Sequence, residues 1–244
     1  MIYLTSDLHG KLQCLLTLLD QAHFFEREDN WLYILGDVID RNLQGGVDIL
    51  KWLLLQPNVQ LLLGNHEQML LSNRWLFEEV TDQSLNAFSA EHLRLLNAWK
   101  ENGAQCTMDA LSKESPQTRA DILEYLEDCP LAESVVVNDK AYLLVHGGLG
   151  NFSEQKKLSD YTPDELLWAR PEPENCYFPE RFTVIVGHTP TDSYGAAYKN
   201  RMIRTKSWWN IDTGAAAKEG RPMLLCLDTQ KEYYIEDDGS VIVV

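Results

Sequence analysis

No apolar run in these 244 residues approaches the roughly 18 needed for a helix to cross a bilayer. The densest stretches, Leu53–Leu55 and Leu61–Leu63, are bounded by polar residues and Pro57. The chain is therefore expected not to span a membrane. Positive charge is also scarce: 21 basic residues stand against 37 acidic ones, a formal charge of -16. Such a surface repels a phosphate backbone, so nucleic acid is not an expected partner and the acidic face reads as solubilising. Paired cysteines are missing as well. Cys14, Cys106, Cys129, Cys176 and Cys226 are odd in number, scattered and without a C-x-x-C spacing, as suits thiols in a reducing compartment. Nothing before Asp7 leaves room for a secretory leader, and the expected location is cytoplasmic. No repeat or low-complexity linker divides the chain, although Pro171–Pro179 is a proline-rich loop. What is present is 45% hydrophobic, enough for the core of one large α/β domain or two small ones.

Ile2–Thr5, Trp31–Leu35 and Val59–Leu63 are short apolar runs stopped by polar or glycine-containing turns, as buried strands are. Between them, Leu12, Leu15, Leu16 and Leu19 fall at helical spacing, and Val47, Leu50 and Leu54 repeat that stripe more sparsely. This β-α-β-α-β order predicts a sheet with parallel neighbours and helical cover. From Glu67 to about Glu133 the pattern is mainly helical, with one stretch after Gln68, one from Glu91 that Gly103 ends, and one opened by Ser115 and Pro116 as N-cap and N1. An insertion of this kind, over about 68–133, could cap a site. Ser134–Val137 and Ala141–Val145 flank Asn138-Asp139 as a hairpin, and further strands are expected at Val184–Val186, Trp208–Ile211, Met223–Leu227 and Tyr233–Ile235. Trp208 and Trp209 should alternate between core and surface, and His23 and His92 read as structural or surface groups.

Five clusters follow apolar strands: Asp7-Leu8-His9-Gly10, Gly36-Asp37-Val38-Ile39-Asp40-Arg41, Gly64-Asn65-His66-Glu67, His146-Gly147-Gly148 and Gly187-His188-Thr189. Taken singly, an aspartate after a strand is more often a turn former than a ligand, and a lone histidine is weaker still. Turn chemistry does not explain five such clusters holding four of the six histidines. Strand carboxyl ends are where open α/β sheets bind ligands, and carboxylate, imidazole and amide donors without a thiolate suit Mn, Fe or Zn. An arginine beside them offers a bidentate fork for phosphate oxygens.

In order and spacing these motifs resemble the PPP family of metallophosphoesterases, whose pattern is GDxHG, GDxxDRG, GNHE, HGG and GH. Ile211-Asp212-Thr213-Gly214-Ala215 and Leu166-Leu167-Trp168-Ala169-Arg170 are similar to segments of its bacterial and phage serine/threonine phosphatases. The resemblance implies an α/β calcineurin-like metallophosphoesterase fold, with mixed β-sheets sandwiched by helices, in a single domain over 1–244 carrying the helical insertion. It implies two divalent ions, Mn2+ first and Fe or Zn as alternatives, with Asp7, His9 and Asp37 at one and Asp37, Asn65, His146 and His188 at the other. It further implies Arg41, Arg170 and Asn65 as phosphate contacts, and His66 oriented by Asp40 as the acid for the leaving oxygen. Ser6 stands where the family has its first glycine, Asn42 where it has the glycine after Arg41, and the SAPNY segment of the eukaryotic branch is missing.

Two such ions lower the pKa of a water between them, so that hydroxide attacks phosphorus without a covalent enzyme intermediate. The implied activity is that of a phosphoprotein phosphatase of the serine/threonine or a broader type, with a phosphorylated protein or small phosphoester as substrate. Within the same fold, the alternative is a hydrolase of diadenosine tetraphosphate or another small phosphoanhydride; from a different class, it is an inactive phosphate-binding scaffold. A cysteine phosphatase is excluded, because Cys176 to Arg181 encloses four residues and no glycine.

Overall fold

The computed structural model describes residues 1–42, 45–78, 88–178 and 181–244. Pro179, at the end of the expected proline-rich loop, and residues 79–87 of the expected helical stretch lie outside the described residues. The three opening apolar runs become β1 (Ile2–Thr5), β2 (Trp31–Ile34) and β3 (Val59–Leu61), all parallel, with Thr5 opposite Ile34 and Ile34 opposite Leu61. On the other edge of β1, β9 (Met223–Cys226) runs antiparallel, and β10 (Glu232–Ile235) and β11 (Val241–Val243) complete a six-stranded mixed sheet. The second sheet has the order β4 (Ala132–Val137), β5 (Lys140–Val145), β6 (Thr183–Val186), β8 (Trp208–Asn210) and β7 (Ile203–Arg204). Its inner strands β5, β6 and β8 are parallel, and both edge strands are antiparallel.

The two sheets pack face to face. Leu4, Leu35 and Leu62 from the first meet Tyr142, Leu144 and Ile185 from the second in a shared inner core. Because side chains alternate across a strand, Val184 and Val186 point the other way and pack with Leu143, Val145 and Trp208 beneath the loops bearing Tyr161 and Tyr177. Strands buried on both faces need continuous apolar sequence, which is why β5 and β6 read as unbroken runs. Trp208 enters this outer core, and Trp209, expected at the surface, points the opposite way but packs partly buried against the inner core, because both faces of this sheet are covered.

Helices α1 (Leu12–Gln21) and α2 (Val47–Leu53) cover the outer face of the first sheet through Leu15, Leu18, Leu19, Val47 and Leu50. After them come α3 (Asn65–Ser72), α4 (Ala90–Glu101), α5 (Gln105–Leu111), α6 (Pro116–Glu127) and α7 (Pro163–Leu167). The Ser115 hydroxyl accepts from Thr118 N at 3.0 Å, the capping that Ser115-Pro116 announces. One boundary and two short elements differ from expectation. Helix α3 begins at Asn65 rather than after Gln68, because the Glu67 carboxylate folds back to accept from Gly64 N at 3.0 Å and closes the first turn. The seven-residue α5 and the two-residue β7 are too short to leave a periodic signature. The 138–139 hairpin turn works without glycine, since Asn138 (φ 49°) and Asp139 (φ 61°) both adopt the left-handed region that asparagine and aspartate tolerate. Among the described residues, no helix is long and apolar enough to cross a membrane.

Candidate active site

The strand-end loops are wired together before any side chain is considered. Asp7 N donates to Gly36 O at 3.1 Å, His9 N to Asp37 O at 3.0 Å and Gly10 N to Val38 O at 2.9 Å, which zips the turn after β1 to the turn after β2. Asp7, His9, Asp37, Asp40, Arg41 and His188 all carry positive φ, from 41° to 68°. Non-glycine residues held there cost on the order of 1–3 kcal/mol each, and such strain gathers where a turn must aim a side chain. Gly36 shows how close the packing is: a Cβ there would lie 2.6 Å from Gly64 Cα and 2.7 Å from His146 Nδ1.

Asp37 sits at the centre. Its Oδ1 is 3.3 Å from His146 Nε2 and its Oδ2 is 3.9 Å from His9 Nε2. Each ring is turned by a backbone carbonyl: His9 Nδ1 lies 2.7 Å from Ile39 O and His146 Nδ1 2.6 Å from Leu35 O, so both present Nε2 inward. Asn65 Oδ1 is 2.9 Å from both His146 Nε2 and His188 Nδ1. Asp7 lies alongside, its Oδ2 accepting from His188 N at 2.9 Å and from the Ser6 hydroxyl. Among the described residues, two groups have ligand atoms close enough to share an ion, His9–Asp37–His66 and Asp37–His146–His188, and Asp37 belongs to both.

The electrostatics fit a dication. Burial, with Asp212 adding, pushes Asp7 well above the usual carboxylate range, and burial, reinforced by Asp37, lifts Asp212 to about 7. Burial opposes charge on Asp37 too, but His146 and His66 outweigh it and hold that carboxyl well below its usual value. Burial likewise works against a charged His146, yet Asp37 raises it to about 10. Burial drops His9 and His188 to about 3, with His146 adding to the fall at His188. Neutral rings among crowded carboxylates, with His188 Nε2 buried and without a hydrogen-bond partner, form a donor set that a divalent cation would satisfy.

His66 is arranged differently from the other rings. Its Nδ1 is 2.6 Å from Asp40 Oδ2, and its Nε2 accepts from the Arg41 guanidinium at 3.1 Å. Burial disfavours its charge, but Asp37 and Asp40 outweigh that and raise its pKa. His66 Nε2 also lies 3.8 Å from Asp37, and the arginine donating to that nitrogen works against a charge on the ring while the carboxylate at Nδ1 favours it. Arg170 donates to the Thr189 hydroxyl at 3.0 Å, beside His188, so it too reaches the crevice. Trp168, two residues before it, stands edge-on to His188 with ring centroids 5.7 Å apart.

Sequence reasoning marked Glu67 as part of a motif without giving it a role, and missed Trp99 and Thr107. Glu67 is fully buried and accepts from Asp37 N at 2.8 Å, Val38 N at 2.9 Å, Ile39 N at 3.3 Å and Gly64 N at 3.0 Å. Burial and Asp37 push it up to about 7, but every close partner is a donor, so the ionised form fits its surroundings. Trp99 and Thr107 both reach Asp40, the indole at 2.8 Å and the hydroxyl at 2.5 Å. Glu67 stands in the Gly64-Asn65-His66-Glu67 cluster, though nothing in the sequence gives it this supporting role, and no local pattern marks Trp99 or Thr107; only the fold brings those two to the site.

Two mixed sheets with aspartate, histidine and asparagine donors at converging strand ends define a metallophosphoesterase. The family model for calcineurin-like phosphoesterases matches residues 1–219, and the chain belongs to that family. Among curated proteins, a symmetrical bis(5'-nucleosyl)-tetraphosphatase of Yersinia pestis is 39% identical over 71 residues, which is 29% of this chain and 24% of that protein. The chain thus matches about a quarter of that relative's length. Among solved structures, one named for a candidate diadenosine tetraphosphatase superposes with a TM-score of 0.58 at 18% identity, over 100% of this chain and 92% of the other. A protein serine/threonine phosphatase from Saccharomyces cerevisiae superposes at 0.54 and 18% identity, over 100% and 78%. At this identity the likeness is one of fold.

Proposed function

We propose that this chain is a dinuclear metal-dependent phosphomonoesterase acting on phosphoserine or phosphothreonine in proteins. Asp7, His9 and Asp37 would hold one divalent ion, and Asp37, Asn65, His146 and His188 would hold the other, with Mn2+ the first choice and Fe or Zn as alternatives. When bound, the ions supply positive charge for phosphate oxygens and an acidified water as nucleophile. Arg41, on leaving His66, and Arg170, beside Thr189, would contact the phosphate, and Asn65 would add its amide N–H. With Arg41 moved away, His66 Nε2 can take up a proton from solvent, and His66, held at Nδ1 by Asp40, then delivers that proton to the departing oxygen.

The observation that carries this reading is the acid pair. A serine alkoxide is a poor leaving group that must be protonated as it departs, and the 2.6 Å Asp40–His66 contact is buried and aimed for that task. A nucleotide leaving from a phosphoanhydride needs less help. The Yersinia relative nonetheless favours a second reading, hydrolysis of dinucleoside polyphosphates. With the protein loaded in turn with Mn2+, Fe2+ and Zn2+, kcat/KM on phosphoserine and phosphothreonine peptides should exceed that on diadenosine tetraphosphate. The reverse order would replace the first reading with the second.

A further inference from the structure

Asp40 is held at both carboxylate oxygens by side chains, and two of its three side-chain donors come from the segment between α3 and β4. Its Oδ2 receives His66 Nδ1 and, at 2.8 Å, the indole N–H of Trp99 near the end of α4. Its Oδ1 receives the Thr107 hydroxyl from α5. The same hydroxyl lies 3.0 Å from Asp40 N and 3.0 Å from Gly45 O, so one side chain holds backbone and carboxylate together. Trp99, Thr107, Asp40 and His66 are all wholly shielded from solvent. Between the two helices, Gly103 O accepts from Arg41 N at 3.2 Å, and a Cβ at Gly103 would stand 3.0 Å from Arg41 Cγ. Residues 99–107 therefore touch both Asp40 and Arg41, and none of these contacts involves an expected metal ligand.

We propose that Trp99 and Thr107 are positioning residues for proton delivery to the leaving group, which makes the helical insertion a working part of the leaving-group half of the site. This rests on the reading of His66 as the acid. A carboxylate with two oxygens and free χ angles could present either oxygen to His66, or turn away from it. Donors fixed at both oxygens leave one orientation, which keeps the imidazole Nδ1–H engaged and Nε2 pointing into the crevice. Neither side chain touches substrate. Their effect passes through Asp40, and it should appear only where the departing oxygen needs a proton.

The test compares Trp99→Phe, Thr107→Val and Thr107→Ser with His66→Asn on a phosphoserine peptide and on para-nitrophenyl phosphate, whose leaving group departs unprotonated. Bound metal and thermal midpoint are measured for each. Trp99→Phe and Thr107→Val should each lose about tenfold in kcat on the peptide, the scale of one buried charge-assisted hydrogen bond, and less than about twofold on the nitrophenyl ester. Thr107→Ser, which restores the hydroxyl, should recover most of the loss. Equal losses on both esters, or a loss that Thr107→Ser fails to rescue, would show general loosening and overturn the proposal. So would unchanged turnover on the peptide. His66→Asn separates the layers: if it discriminates between the esters and the buttress variants do not, positioning fails alone, and if it does not discriminate, the acid reading fails and the proposal with it.

Discussion

At the residue scale, the distinction that matters is between side chains that face the crevice and side chains that hold those in place. Asp37 faces it, shared by two candidate ion groups; Glu67 holds it, gathering the amides of Asp37, Val38 and Ile39. Glu67→Gln exchanges a two-oxygen acceptor for one oxygen and an NH2 pointing at backbone N–H groups. Leaving such donors unsatisfied costs about 1–3 kcal/mol, so the turn after β2 should loosen and carry Asp37 with it. The expected result is weaker affinity for both ions with little change in kcat once metal saturates, read by titrating activity against metal concentration. Asp37→Asn, by contrast, should not recover at any practical concentration. If the two variants behaved alike, Glu67 would be a ligand and not a support. The facing residues were legible in the sequence because each follows an apolar strand within a few positions. Glu67 was legible as part of the Gly64-Asn65-His66-Glu67 cluster but its hold on the turn after β2 was not, and Trp99 and Thr107 were not legible at all, because their partner Asp40 lies 59 and 67 residues away and only tertiary folding joins them.

At the scale of elements, strands were read better than their ends, and long helices better than short ones. Continuous apolar sequence marks β1, β5 and β6 because both faces of each sheet are covered, whereas α5 and β7 are too short for periodicity to show. The β4–β5 hairpin is an instructive middle case. Its flanking strands were plain, but Asn138-Asp139 lacks the glycine that best suits two consecutive left-handed residues. Asp139→Gly should relieve part of the roughly 1–2 kcal/mol that a non-glycine residue pays there, offset by glycine's larger entropy in the unfolded chain. A net gain of about 0.5–1 kcal/mol is expected, seen as a higher urea midpoint with unchanged slope and unchanged turnover. A lower midpoint would mean that the Asp139 side chain contributes more to the turn than its backbone costs.

At the scale of the whole molecule, the candidate metal site is also a joint between the two sheets. Asp7, His9, Asp37 and Asn65 come from the ends of β1, β2 and β3, while His146 and His188 follow β5 and β6 of the other sheet. Ions held by both sets would tie the sheets together, so that binding energy would become folding energy. Protons compete for the same joint. In the metal-free protein Asp37 raises His146 to about 10, although burial opposes this, against about 6.5 for an unfolded histidine. Both states hold the proton below pH 6.5, and its stabilising effect is then complete. As pH rises from 6.5 towards 10 the unfolded chain has released a proton that the folded chain still binds, so stability falls, by up to about 1.4 kcal/mol per pH unit for this one group. His66, also raised, adds in the same direction. With metal bound, His146 is already neutral and has no proton to lose, and ion binding becomes tighter as the competing proton leaves. The thermal midpoint of metal-stripped protein should therefore drop between pH 6.5 and 9 while that of the loaded protein changes less, so the gap between them widens with pH. A gap that stays constant, or narrows, across that range would show that His146 does not exchange a proton for metal, and would remove it from the joint between the sheets.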